Sequence, residues 1–199
     1  MLVGKSALLI NEMQIGVVHA AHTGFPALAE QVTARGIIPK IAALADAFRK
    51  AGAPVFHGPV RGRPDRADVK PNSLITALSL KGQPMAEGDH RSSYVPELVP
   101  HDGDFEIVRT SGLITMCGTQ MDAVMRRMGI ETLVLTGVST NVGIPGNAIT
   151  AEELGYYVVV AEDCIAGTDP DTHRTIVDNQ LRMIARIMPS EEIAAALNG

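Results

Sequence analysis

Two charged residues stand where apolar runs end. Glu12 follows "ALLIN" at 7–11, and Arg109 closes "FEIVR" at 105–109. A carboxylate placed directly after an apolar strand is incompletely solvated. Burial raises its pKa and a nearby arginine lowers it, which is how a general acid or base is tuned. Arginine stays charged, so Arg109 can orient a carboxylate or stabilise developing negative charge, while any proton transfer falls to Glu12. The same two residue types also make structural ion pairs that tie strand ends together, and residue type alone leaves both readings open. Gln14 and His57 follow apolar runs in the same way. His57 reads either as a ligand contact or acid, or as a structural imidazole satisfied by its neighbours.

A third feature is "GVSTNVGIPGN" at 137–147, between "ETLVLT" and "AITAEELG". A strand that turns through glycine into a helix presents backbone N–H groups, which bind a carboxylate or an oxyanion. Ser139, Thr140 and Asn141 are helix-capping types, and Pro145 is tolerated in a first turn. A hydroxyl nucleophile at Ser139 or Thr140 would need an adjacent base that the sequence does not identify. His57 in "HGPVRGRPD" has no companion at metal-ligand spacing, so neither a metal nor a cofactor is expected.

These residues must be held by elements. Short Val/Ile/Leu-rich runs at 7–11, 54–58, 105–109, 132–137 and 156–163 read as strands buried on both faces. Residues of helical period lie between them: Ile37, Ile41, Leu44, Ala45 and Phe48; Met121, Val124, Met125 and Met128; Val177, Leu181, Ile184 and Met188. The alternation implies a three-layer α/β/α, Rossmann-like domain with a mostly parallel buried sheet. Ligands of such sheets bind beyond the carboxyl ends of the strands. That edge collects Asn11, Glu12, Gln14, His57, Arg109, the 137–141 turn, Glu162 and Asp163. The region from Gly58 to Asp104 is rich in Pro, Gly and charge, with one short helix near 72–80. It reads as a lid or an oligomer contact.

The length of 199 residues suits one domain over the whole chain. Hydrophobic residues make up 46% and charged residues 20%, ordinary for a globular protein. A net charge of -5 without a dense Lys/Arg run argues against a nucleic-acid partner. "MLVGKSALLI" is too short and too soon interrupted by polar residues for a signal peptide or a membrane span, so a cytoplasmic location is expected. Cys117 and Cys164 lack CxxC spacing and read as packed thiols.

Three segments together resemble a known family: "ALLINEMQ", "GDFEIVRTSGLITMCGTQMDAVMRRMGIETLVLTGVSTNVG" and "AITAEELGYYVVVAEDCIAG". As an ordered set they are similar to the isochorismatase-like hydrolase superfamily, across nearly the whole chain. The resemblance implies a site in which an Asp position matches Glu12, a Lys position matches Arg109, and the nucleophilic Cys position falls on Gly143. It also implies a cis peptide at Val138–Ser139 and a homo-oligomer, dimer or tetramer. Members with Gly in place of Cys are thought to cleave a vinyl ether by protonation from the acid, with water completing the hydrolysis.

The expected activity is therefore a non-cysteine hydrolase of a small, anionic molecule with a vinyl-ether or amide-type bond. In it Glu12 is the acid or base, Arg109 the orienting charge, and Gln14, His57, Ser139, Thr140, Asn141 and Gly143 the substrate contacts. The alternative is a catalytically silent small-ligand-binding or assembly protein that keeps the fold. A cysteine hydrolase using Cys117 or Cys164 is the third reading.

Overall fold

The computed structural model describes residues 2–197. Its six strands are β1 (Lys5–Asn11), β2 (Val55–Gly58), β3 (Phe105–Glu106), β4 (Ile130–Val138), β5 (Tyr157–Ala166) and β6 (Arg186–Met188). The helices are α1 (Ile15–Val18), α2 (Pro26–Arg35), α3 (Ile37–Lys50), α4 (Leu74–Ser79), α5 (Met121–Met128), α6 (Gly143–Glu153), α7 (Pro170–Ile176), α8 (Arg182–Ile184) and α9 (Ser190–Ala196). The strands form one sheet in the order β3-β2-β1-β4-β5-β6, and every pairing is parallel.

The alternation of side chains along a strand explains the layers. Leu8, Ile10, Val134 and Val159 point to one face, where Val32, Ile41, Phe48 and Ile193 of α2, α3 and α9 cover them. Ala7, Leu9, Leu133, Leu135 and Val160 point to the other, beneath Met121 and Met125 of α5 and Ile144 and Ala148 of α6. Runs apolar at successive positions are what a sheet covered on both sides requires. Each large aliphatic side chain buried this way contributes about 1.5–3 kcal/mol.

The order reverses between β1 and β4: chain order runs outward through β2 and β3 on one side and through β5 and β6 on the other. In open parallel sheets the usual ligand position is at such a reversal, here the carboxyl ends of β1 and β4. Residues 11–12 and 138–143 lie there.

Several sequence expectations are corrected. The period read from Val177 to Met188 as one helix is broken into a π turn (Val177–Leu181), the short α8 and then β6. Met188 pairs with Ala161 of β5, so sheet pairing overrides the helical spacing at the end of that run. The fifth strand does not stop at Glu162 and Asp163 but continues to Ala166, with its register against β4 shifted between Leu135 and Gly137. Asp163 accepts from the backbone N–H and hydroxyl of Ser190, at 2.8 and 2.7 Å, and fixes the start of α9. The third strand is only two residues long, yet the ladder resumes where Val60 bridges Arg109. Helix α2 was not signalled by the periodicity. Cys164 is buried, but Cys117 is exposed, because it lies in the irregular segment before α5.

Candidate active site

Glu12 is the first residue beyond β1, and its φ of 53° places a non-glycine residue in the left-handed region. Such conformations are uncommon for side-chain-bearing residues and cluster at functional sites. Its N–H donates to the Gly58 carbonyl at 3.2 Å, holding the β1 end against the β2 end. Its carboxylate Oε1 accepts from Arg109 Nη2. Arg109 Nη1 donates to the Gly112 carbonyl at 3.0 Å, and Arg109 Nε is buried without an acceptor among the described residues. Burial pushes the Glu12 carboxyl above its ordinary value, and the opposing pull of the Arg109 charge and hydrogen bond is smaller. The side chain is still 21% exposed, so a path to solvent exists.

The turn after β4 contains a cis peptide at Val138–Ser139, as the resemblance implied. The Ser139 carbonyl accepts from the N–H groups of Val142 and Ile144, at 3.2 and 3.0 Å, and Thr140 N–H donates to the Ala166 carbonyl at 2.8 Å. The N–H groups of Asn141 and Gly143 donate to no protein acceptor among the described residues. Two donors at the start of α6 are thus available to an anion.

Sequence reasoning did not anticipate the amide network beneath this turn. Asn11, fully buried, donates from Nδ2 to the Val138 carbonyl. Its Oδ1 accepts from Thr115 Oγ1 at 2.7 Å and from Asn147 Nδ2 at 3.3 Å. Asn147 also donates to the Gly143 carbonyl at 2.8 Å and accepts from the Met116 N–H at 3.1 Å. One polar cluster therefore joins β1, the 115–116 segment, the turn and α6. Gly143 is part of this fit: a β-carbon there would lie 2.8 Å from Asn11 Nδ2 and 3.0 Å from the Val138 oxygen. Gly137 is needed as well, since its φ is 93° and a β-carbon would come within 2.2 Å of the Asn11 carbonyl oxygen. The available signal was Asn11, a polar residue ending an apolar run.

The remaining expected site residues are turned toward protein partners. Gln14 is buried; its Nε2 donates to the Val60 and Ser92 carbonyls at 3.0 and 2.7 Å, and its Oε1 accepts from the Val60 N–H at 2.7 Å. It holds the 58–104 excursion to the body. His57 is completely buried, with Nε2 3.1 Å from Asp104 Oδ2 and its ring edge-on to Tyr94. Burial pushes this imidazole below its ordinary value, against the opposing pull of Asp104. Thr140 Oγ1 lies 2.9 Å from His173 Nδ1, and Asn141 Oδ1 accepts from the Thr168 N–H at 2.9 Å. The structure thus pairs Glu12 with Arg109 and joins the neighbouring Asn11 to the turn, while the side chains of Gln14, His57, Thr140 and Asn141 bond to other parts of the chain.

Beside Arg109 lies an open depression of about 530 Å3 lined by residues 107–112 and 117–120, Cys117 among them. Burial, followed by the neighbouring Asp163 charge, pushes the Cys164 thiol up to about 12, which makes it a poor nucleophile. Among the described residues no group of three or more His, Cys, Asp or Glu is arranged to hold a metal ion. No helix there is long and apolar enough to cross a membrane.

With this geometry in place, comparison with known proteins is decisive on family. The sequence profile of the isochorismatase domain matches residues 6–192. The chain belongs to the isochorismatase family. It is 32% identical over 192 residues to the uncharacterized isochorismatase family protein YecD of Escherichia coli O157:H7, covering 96% of each chain. It is also 32% identical to the ureidoacrylate amidohydrolase RutB of Rhizobium rhizogenes, over 84% of this chain and 72% of that one. Among solved structures, an isochorismatase family protein of Desulfovibrio vulgaris superposes with a TM-score of 0.83 at 26% identity, covering 98% of this chain and 99% of that one. The parallel six-stranded sheet and its helices are the architecture of this hydrolase family.

Proposed function

We propose that the protein hydrolyses a small anionic molecule without a cysteine nucleophile, using Glu12 as acid or base. The observation that carries this is the largely buried Glu12–Arg109 pair just beyond the carboxyl end of β1, with the carboxyl held above its ordinary value by burial. In its protonated form Glu12 can give a proton to a vinyl ether; as the carboxylate it can accept one from water attacking an amide-type carbon. Arg109 is suited to orienting a substrate carboxylate, and its unpartnered Nε leaves hydrogen-bonding capacity for that task. The N–H groups of Asn141 and Gly143, which have no acceptor among the described residues, would serve an anion or an oxyanion. A covalent route through position 143 has no nucleophile to use. The relation to a ureidoacrylate amidohydrolase supports ureido and carbamoyl acids as the amide-type candidates.

A second reading is a silent ligand-binding or assembly protein. It is favoured by one observation: Glu12 and Arg109 bond to each other, while the Asn11 amide fills the space beside Gly143. Turnover assays on ureido acids, N-carbamoyl amino acids, simple amides and carboxylated vinyl ethers separate the two. Hydrolysis in any class supports the first reading. No turnover in all four, with thermal stabilisation by one of the compounds, supports the second.

A further inference from the structure

A cavity of about 460 Å3 opens where β5, β6, α7 and the π turn meet, and neither Glu12 nor Arg109 lines it. Its charged groups are Arg35, Glu162, His173, Arg174, Asp178 and Arg182. Both acids are already paired: Glu162 with Arg35 at 2.6 Å, and Asp178 with Arg182 at 3.0 Å. Arg174 is exposed and has no ion-pair partner among the described residues. His173 is only 5% exposed and is fixed from both ring nitrogens, by Thr140 at 2.9 Å and Glu162 at 3.3 Å. Three arginines against two neutralised carboxylates leave the lining positive. The rest of the wall is apolar, from Val177, Ile187, Met188 and two prolines. Part of it is the π turn Val177–Leu181, an irregularity found often at functional sites.

We propose that this cavity is a second ligand site, for a small organic acid whose carboxylate bonds to Arg174 and Arg182 and whose compact apolar body packs on Val177, Ile187 and Met188. A guanidinium pairs with a carboxylate by two parallel hydrogen bonds, and that pairing uses the positive half of the wall. An inorganic anion would leave the apolar half against water, and a cation would meet no free carboxylate. Neither Glu12 nor Arg109 is part of this site, so it stands or falls apart from the Glu12 reading, although His173 bonds to Thr140 of the turn.

Titration of the full-length protein with isovalerate and with its neutral amide, followed by 1H–15N correlation NMR, tests this. Isovalerate should give saturable shifts at residues 173–178 and 187–188, and the amide should bind at least about tenfold more weakly. The surface double substitution Arg174→Gln/Arg182→Gln should weaken isovalerate by about tenfold, the usual scale for losing charge-assisted contacts of this kind. Equal binding of acid and amide overturns the proposal. So does insensitivity to the double substitution, a shift pattern centred on 109–118 instead, or no saturable shift.

Discussion

The proposed chemistry depends on a few atoms around Asn11, Glu12 and Gly143. Asn11 satisfies three partners in a dry region, so Asn11→Ala leaves the Val138 carbonyl, the Thr115 hydroxyl and one Asn147 donor short of a bond. Unfolding in urea should show a loss of about 2–4 kcal/mol. Gly143→Ala puts a methyl group 2.8 Å from the Asn11 amide and should cost about 1–3 kcal/mol. The two effects share one space, so the double variant should be more stable than their sum predicts, by about 0.5 kcal/mol or more. Strict additivity would show that the amide does not determine glycine at 143. Glu12 and Arg109 were legible because charge at the end of an apolar run is unusual. Asn147 and Thr115 were not, because a polar residue inside a helix or loop carries no mark of the strand end it bonds to. The substrate contact first read for Gln14 shows the converse limit. Residue type places a polar group at the edge, but only the fold shows which backbone groups consume its hydrogen bonds.

At the scale of elements, the sheet and its two helical layers were readable from continuous apolar runs alternating with helical periods. Among the elements that escaped, the three-residue β6 and the bulged end of β5 are made by pairing rather than by pattern. Helix α2 escaped for a different reason, since only Leu28, Ala29 and Val32 of its ten residues are buried and its apolar stripe is faint. The 58–104 excursion keeps few such signals, and it is held by backbone bonds, such as those from Ile15 N–H to the Ser93 carbonyl and from Val95 N–H to the Met13 carbonyl, together with individual side chains. Gln14 makes three hydrogen bonds to it, so Gln14→Ala should loosen that region in particular. Limited proteolysis should then cut within 61–89 several times faster than in the wild type, with the sheet core still protected. Unchanged cleavage would mean that other contacts hold the excursion.

For the whole molecule, linked ionisations set how stability follows pH. Glu162 has an ordinary value of 4.5 and is held down to about 2, first by its hydrogen bond to His173 and then by Arg35 against the cost of burial. A carboxylate depressed in the fold adds stability above 4.5, and that contribution is lost as pH falls from 4.5 toward about 2. Buried His57 adds to the same acid limb, since below its ordinary 6.5 the unfolded chain takes up a proton more readily than the fold does. Thermal melts of Glu162→Gln should therefore show a flatter decline between pH 4.5 and 2 than wild type. Glu12 acts with the opposite sign. Its raised value makes the folded state the better proton binder, so its contribution falls as pH rises from 4.5 through the folded value. A group with that behaviour is suited to moving a proton at a site otherwise built from fixed donors. The most direct measurement is steady-state turnover by Glu12→Gln of whichever compound the wild type hydrolyses, with ligand affinity measured alongside. The account predicts kcat lower by about 10²–10⁴-fold, the scale of a lost general acid or base, with affinity kept within a few-fold. Turnover at the wild-type rate would contradict it.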